Sequence, residues 1–200
     1  LDAVRAARAG AGKVPIVPKV TGQLDNPGAV VRGLAEGGAD GVVMFNRFTG
    51  LDIDLDTEMP VMHGGYAGHG GPWAIHYVMR WISEVYPTLS IPIAASGGVQ
   101  SGGNAAKLIL CGATTVEVCT AIVMEGYGVV GGILRDLNAW LDGKGHASLQ
   151  DFRGAGRPKL SGNDDLERAQ DSVAGIDPAK STNCSVCARG GLSRIHICRY

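Results

Sequence analysis

The sequence predicts an α/β protein built from consecutive parallel βα units. Short apolar runs that stop at glycine or at a polar residue alternate with stretches of helical length, as where residues 91–95 are followed by residues 104–110. The content of 45% hydrophobic and 18% charged residues is sufficient for a folded core. Because the βα units are too few to close an eight-stranded barrel, we expect a fragment of a (β/α)8 TIM barrel with an irregular C-terminal tail.

Composition and charge exclude several function classes. The 18 basic and 19 acidic residues give a net charge of -1, so no electrostatic surface for nucleic acid or membrane binding is expected. No apolar run approaches the ~20 residues of a membrane span, and no signal peptide is visible, which favours a cytoplasmic protein. The five scattered cysteines are typical of metal-binding or buried thiols rather than disulfides.

Two predicted strands in the first part of the chain end in polar side chains. Residues 14–20 form an apolar run that carries Lys19 near its C-terminal end, and residues 41–46 form a second run that ends at Asn46. Strand C-termini face the active-site mouth of a (β/α)8 barrel, so both side chains are expected there. The alternatives are a lysine that extends to solvent and an asparagine that caps the following turn.

Amphipathic stretches predict the connecting helices. Asn26 is expected as the N-cap of a helix that begins at Pro27. The Trp and Met residues of the helix over 72–85 are expected mostly in the core, because its apolar positions recur at helical spacing. The other helices are predicted over residues 1–9, 104–110, 128–141 and 148–152.

Residues 47–71 form a loop that is longer than an ordinary βα connection, as lids at a barrel mouth often are. Its alternating acidic residues lack the spacing of a calcium loop, so we interpret them as a solvated face. His63 and His69 are candidate acid–base groups or metal ligands, but no third ligand is placed by the sequence, and ordinary loop histidines are the favoured interpretation.

Two successive strand ends predict a phosphate site. The run over 91–95 stops at Ser96, Gly97 and Gly98, and the next strand over 115–118 is followed by Cys119 and Thr120. Glycines allow close approach of backbone N–H groups to a phosphate, and a threonine hydroxyl adds a donor. In barrels of this kind the phosphate site is often built by the last two βα loops. The alternative is a plain pair of βα turns.

Several ordered motifs resemble one family. They are VPKV around Lys19, FN at Asn46, the ASGGV block, LILCGATTVEVCTA, and the run from EGYGVVGG to DFRG. Over residues 1–157 the chain resembles the C-terminal half of class 1 dihydroorotate dehydrogenases and dihydropyrimidine dehydrogenases, which are FMN-dependent barrels. The resemblance implies an oxidoreductase that acts on the CH–CH bond of a dihydropyrimidine, dihydroorotate or dihydrouracil, with hydride transfer to flavin N5.

The resemblance also implies residue roles. Lys19 corresponds to a lysine at the flavin ring, Asn46 to an asparagine that binds the pyrimidine, and Gly65 or Gly68 to a loop glycine near the flavin. The FMN phosphate cradle corresponds to Gly97, Gly98, Cys119 and Thr120, and Ser96 is a further expected cofactor-binding residue. The family's Cys or Ser base is expected upstream of Leu1, so the fragment is expected to be inactive alone.

The tail is predicted in three parts: a linker over residues 158–175, a degenerate start of a 4Fe–4S ferredoxin-like motif over 176–190, and a non-native, adapter-like end over 191–200. Cys184 and Cys187 form a C-x-x-C pair, too few thiolates for a cluster by themselves. Dihydropyrimidine dehydrogenases carry a cluster domain after the barrel, so the resemblance implies a 4Fe–4S cluster in the full-length protein. An inert pair and a partial zinc site are the alternatives.

Other functions stay open at the level of sequence. They are another FMN-phosphate barrel oxidoreductase, a non-catalytic phosphate-binding half barrel, and an iron–sulfur electron-transfer module. The expected partners are a pyrimidine substrate, an electron-transfer subunit or NAD(P)H-oxidising partner, and a second copy of the chain in a homo-oligomer.

Overall fold

The chain divides into two units, Leu1–Leu160 and Ser161–Tyr200. The structure, a computed structural model, describes residues 2–61 and 66–162, so the fold is that of the first unit. The predicted cluster motif with Cys184 and Cys187 lies outside the described residues, as do the adapter-like end and residues 163–175 of the predicted linker.

Six strands and six helices make up the described part of the chain. The strands are β1 (Lys19–Val20), β2 (Val42–Met44), β3 (Thr49–Gly50), β4 (Ala67–Gly68), β5 (Ile93–Ser96) and β6 (Thr115–Glu117). The helices are α1 (Asp2–Ala11), α2 (Pro27–Glu36), α3 (Ala74–Val85), α4 (Gly102–Cys111), α5 (Thr120–Glu125) and α6 (Gly128–Lys144). None of these helices is long and apolar enough to cross a membrane.

Four strands form one parallel sheet in the order β1-β2-β5-β6. The register pairs Lys19 with Val43, Val43 with Ala94, and Ala94 with Thr115. Sheet order therefore follows chain order, with α2 between β1 and β2 and α4 between β5 and β6. Stepwise addition of parallel strands through helical crossovers is the arrangement of a (β/α) barrel, which agrees with the predicted fold class.

The helices form a single layer on the sheet. α2 packs on α3, α3 on α4, and α4 on α6. The buried side chains of β2 and β5 meet this layer, and the largest fully buried residues are Phe45, Phe152, Met44, Ile82, Ile93 and Leu108. This apolar interface holds the strand ends in place and so positions the polar residues that follow them.

β1 is shorter than predicted. The expected strand over residues 14–20 is reduced to Lys19–Val20. Pro15 and Pro18 have no N–H to donate to a ladder, although the Pro18 carbonyl accepts from the Val43 N–H at 2.9 Å. The segment is therefore aligned with the sheet but cannot pair fully.

Two further expectations differ from the structure. The strand predicted over residues 115–118 ends at Glu117, and the residues after it enter a helix, with Cys119 as the N-cap position of α5 and Thr120 as its first residue. Trp73, expected in the core, is 47% exposed and precedes α3, whereas Trp81 in the same stretch is buried as predicted.

The long loop folds back on itself. β3 pairs antiparallel with β4, and an isolated bridge joins Ile53 to Pro60. Gln23, in the loop after β1, fixes the base of this hairpin through three hydrogen bonds to Thr49, two of them at 2.9 Å. The predicted lid is therefore an anchored hairpin, of which residues 62–65 lie outside the described residues.

Asp40 joins α1 to the sheet. Its carboxylate accepts from the Ile16 N–H at 2.6 Å and from the Arg8 guanidinium, which also donates to the Gly38 carbonyl at 2.9 Å. The hydrogen bond from Ile16 and then the one from Arg8 hold the pKa of Asp40 below its ordinary value.

Because the folded-state pKa is lowered, the contribution of Asp40 to stability is present above the pKa of an unfolded aspartate and is lost as the pH falls through the folded value. We predict that Asp40→Asn lowers the unfolding free energy at pH 7, and that the difference from wild type begins to shrink near pH 4 and disappears only below the lowered folded-state pKa. Urea titrations across pH measure this. Asp25→Asn, an exposed aspartate, is the control, and an equal loss for Asp40→Asn at every pH would contradict the prediction.

Two neighbouring glycines at the start of α4 differ in their surroundings. A Cβ on Gly102 would lie 2.3 Å from the Leu137 backbone nitrogen of α6, whereas a Cβ on Gly103 would meet nothing closer than 3.7 Å. We predict that Gly102→Ala destabilises the fold by about 1–3 kcal/mol through overpacking. Gly103→Ala should be neutral or stabilising by up to about 1 kcal/mol. Thermal unfolding of the two variants compares them directly, and equal effects would show that α4 and α6 do not pack this closely.

Candidate functional site

A cavity of about 230 Å³ lies at the carboxyl ends of the parallel strands. Its walls come from the residues that end or follow β1, β2, β5 and β6, and from the segment before α3. Among them are seven of the residues predicted from the sequence: Lys19, Asn46, Ser96, Gly97, Gly98, Cys119 and Thr120. The remaining wall residues are Phe45, Arg47, Phe48, Gly70, Gly71, Ala74, Val99, Gln100 and Glu117.

Lys19 is paired with a carboxylate. Its Nζ lies 2.7 Å from Glu117 Oε2 and 3.4 Å from Ser96 Oγ. The two charged side chains are 42% and 39% exposed, so the pair is hydrated on one side. This contact joins β1 to β6, the outer strands of the sheet, across the open end of the cavity. The lysine thus points into the cavity rather than away from it.

Asn46 and Arg47 follow β2 and are exposed in the cavity wall. The Asn46 backbone N–H donates to the Val20 carbonyl at 2.7 Å, which fixes the residue at the strand end. Its side-chain amide makes no hydrogen bond within the described residues, so the alternative of an asparagine capping the next turn is not realised there. The free amide offers both donors and an acceptor to a ligand.

Gly97 and Gly98 turn the chain away from β5. Both have positive φ, +126° and +76°. A Cβ on Gly98 would lie 2.5 Å from the Ile75 nitrogen at the start of α3, so packing alone requires glycine there. Within the described part of the chain, the N–H groups of Gly97, Gly98 and Val99 donate no hydrogen bond. Val99 is 5% exposed as a whole residue and lines the cavity, so an acceptor for its N–H would have to come from that side.

The opposite wall of the cavity begins at α5. Cys119 and Thr120 are exposed, and Cys119 provides no side-chain cap for the helix. A Cβ on Gly70 would lie 4.0 Å from Thr120 Oγ1, so the loop before α3 reaches this wall. The threonine hydroxyl therefore faces the same space as the free N–H groups after β5.

Aromatic rings form the rim next to the hairpin. Phe48 lies 5.4 Å from Trp73 and 5.0 Å, edge-on, from Tyr77, measured between ring centroids. The Tyr77 hydroxyl donates to the Gly22 carbonyl at 2.6 Å, and His69 lies 5.8 Å from Trp73. This cluster explains why Trp73 leaves the core: its ring packs at the rim of the cavity instead.

Some predicted residues are not brought to the cavity. Gly68 pairs in β4 and packs against the Arg47 side chain, without lining the cavity. Gly65 and His63 lie outside the described residues. Asp54 uses its carboxylate to accept from the Thr57 N–H at 2.7 Å, and this bond lowers its pKa. No group of His, Cys, Asp and Glu able to hold a metal occurs in residues 2–61 and 66–162.

Glu117 and Arg47 are the site residues that the sequence analysis missed. Glu117 is a charged residue near the end of an apolar strand, the same signal that selected Lys19. Arg47 directly follows Asn46 at a strand end. Both signals were present in the sequence, but only the structure shows that the two side chains line one cavity.

We predict a weak coupling between Lys19 and Glu117, because both side chains remain partly exposed. A double-mutant cycle with Lys19→Met and Glu117→Gln should give an interaction energy of about 0.2–1 kcal/mol in the unfolding free energy. Raising the salt concentration should reduce it. A coupling of several kcal/mol would instead indicate a pair withdrawn from water.

Comparison with known proteins gives a consistent result. The family model described as dihydroorotate dehydrogenase matches residues 2–141. The catalytic subunit of dihydroorotate dehydrogenase B (NAD(+)) from Anoxybacillus flavithermus is 32% identical over 141 residues, which are 70% of this chain and 45% of that protein. The corresponding subunit from Geobacillus kaustophilus is 34% identical over 137 residues, 68% of this chain and 44% of that protein.

A second kind of relative extends further along the chain. The NAD-dependent dihydropyrimidine dehydrogenase subunit PreA from Escherichia coli K12 is 28% identical over 182 residues, 87% of this chain and 44% of that protein. The chain thus spans less than half the length of the curated relatives it matches. The family predicted from the sequence motifs is confirmed: the chain belongs to the dihydroorotate dehydrogenase family, whose members bind FMN.

Proposed function

We propose that the protein is an FMN-dependent oxidoreductase that acts on the CH–CH bond of a dihydropyrimidine. The observation that carries this proposal is the cavity at the strand ends. It gathers a lysine with an asparagine amide and three backbone N–H groups that have no hydrogen-bond partner within residues 2–61 and 66–162. The relatives are named as dihydroorotate and dihydropyrimidine dehydrogenases, which supports the same activity.

The cavity offers the groups that FMN requires. The N–H groups of Gly97, Gly98 and Val99, which have no acceptor in the part of the chain that the structure describes, suit a phosphate together with the Thr120 hydroxyl. Several wall residues are exposed, so a ligand larger than the cavity can extend out of it. Bound FMN would supply the two-electron acceptor for oxidation of the C–C bond. Lys19 would hold positive charge beside that acceptor, with Ser96 and Cys119 in the surrounding wall; Gly65 and Gly68 stay predicted flavin neighbours.

Asn46 is the proposed ligand of the pyrimidine. A pyrimidine ring presents adjacent amide N–H and C=O groups, and a primary amide can donate to one and accept from another. The carboxyl end of β2 fixes its backbone, so only the side-chain torsions remain to be ordered on binding.

The partners follow from the same relatives. A PreA-type protein is a subunit by name, and dihydroorotate dehydrogenase B is named by its catalytic subunit, so we propose an NAD-linked electron-transfer partner subunit. A 4Fe–4S cluster that relays electrons from the flavin is part of this proposal. The homo-oligomer and the cytoplasmic location stay predictions.

The test uses the complete product of the gene. Its visible spectrum is recorded without oxygen, before and after addition of dihydroorotate or dihydrouracil. We expect flavin absorption that one of the two compounds bleaches, and the compound that does so is the substrate. A protein that takes up no FMN during expression or reconstitution would contradict the proposal, as would bound flavin that neither compound reduces.

Lys19→Ala tests the proposed role of the lysine. Loss of the cation should slow flavin reduction by roughly ten- to a hundredfold while FMN stays bound, because the positive charge is needed beside the flavin as negative charge develops on it during reduction. Stopped-flow reduction and equilibrium FMN binding separate the two effects. Lys13→Ala, an exposed lysine before β1, is the control. Unchanged reduction kinetics, or loss of FMN itself, would contradict this role.

A further inference from the structure

We propose that Arg47 binds a carboxylate on the substrate and thereby selects an acidic dihydropyrimidine over a neutral one. The inference rests on the proposed function and names the substrate class for that site. Arg47 is exposed in the cavity wall, directly after the proposed pyrimidine ligand Asn46.

The charge balance of the cavity carries the first step. Three charged side chains line it: Lys19, Arg47 and Glu117. Glu117 lies 2.7 Å from Lys19, so the only carboxylate of the described cavity wall is already engaged. Within residues 2–61 and 66–162, Arg47 makes neither an ion pair nor a side-chain hydrogen bond. The described cavity wall therefore carries a net positive charge, from the Arg47 guanidinium, that an anionic ligand can neutralise.

The position of the arginine stem carries the second step. A Cβ on Gly68 would lie 2.5 Å from Arg47 Cδ and 3.1 Å from its Nε, so the stem lies directly on the β4 backbone. The hairpin that contains β4 is anchored to Gln23 through Thr49. The aliphatic stem thus lies against an anchored hairpin while the residue stays exposed, and this contact lowers the entropy lost when the side chain binds a ligand.

The chemistry of the side chain carries the third step. A guanidinium presents paired N–H donors that match the two oxygens of a carboxylate. Phosphate offers similar geometry, so the FMN phosphate is the competing source of the anion. The donors suited to that phosphate follow β5 and β6, whereas Arg47 follows β2 beside the free amide of Asn46. This placement favours the substrate.

The test compares orotate, which carries a carboxylate, with uracil, which does not. Titration calorimetry of the FMN-loaded, complete gene product measures both affinities. We expect wild type to bind orotate at least about tenfold more tightly than uracil, as a charge-assisted bond implies. Arg47→Gln should lose about tenfold in orotate affinity, with uracil affinity unchanged. The orotate affinity of Arg47→Lys should lie between those of wild type and Arg47→Gln, because lysine keeps the charge without the paired donors.

Arg5→Gln is the matched control, since Arg5 on α1 is 65% exposed and undergoes the same change in charge. Equal wild-type affinities for orotate and uracil, or equal losses for both in Arg47→Gln, would overturn the inference. Weaker FMN binding in Arg47→Gln with unchanged orotate affinity would assign the arginine to the phosphate and also overturn it. A wild-type protein that binds FMN and uracil but not orotate overturns this inference alone, whereas failure to bind FMN overturns the proposed function.

Discussion

The contact between Lys19 and Glu117 depends on the curvature of the sheet. The two residues lie on the outer strands of the order β1-β2-β5-β6, and strands about 4.8 Å apart would separate them by about 14 Å in a flat sheet. Side chains that stand perpendicular to a flat sheet do not meet over this distance. Their 2.7 Å contact therefore requires that the strands curl towards one side, with the polar ends on the concave face. The single layer of helices on the other face is the packing that favours this curl.

Curvature also determines which charges remain available. Convergence of the strand ends brings Lys19 and Glu117 together, and these two charges then neutralise each other. Arg47 follows β2 in the middle of the sheet and extends along β4, so it reaches neither partner. Arg47 is thus left to meet a ligand in the described cavity, and because the ion pair is neutral as a whole, this arginine gives the cavity its positive character.

The sequence predicted which polar residues follow the strands at the site more reliably than it predicted where each strand begins and ends. Lys19 and Asn46 were found because a polar residue that ends an apolar run must lie at the carboxyl edge of a parallel sheet. The same rule applies to Glu117, which was overlooked. The rim position of Trp73 and the pairing of the hairpin could not be predicted in this way. Trp73 packs on Phe48 across a long loop, and such a contact produces no periodic pattern in the sequence. The shortening of β1 is a consequence of Pro15 and Pro18, whose missing donors can be read directly from the sequence.

Gly97 and Gly98 illustrate why a glycine pair alone is weak evidence for a phosphate site. The collision of a Gly98 Cβ with Ile75 means that this turn needs glycine whether or not a ligand binds. The Cβ position and the N–H of a residue point in different directions, however, so packing against α3 at the Cβ position of Gly98 does not occupy its N–H. A turn pressed against α3 leaves the N–H groups of Gly97, Gly98 and Val99 without partners in the described part of the chain. Three neighbouring donors that border one cavity, rather than the glycine identities, are the physical argument for an anion at this position.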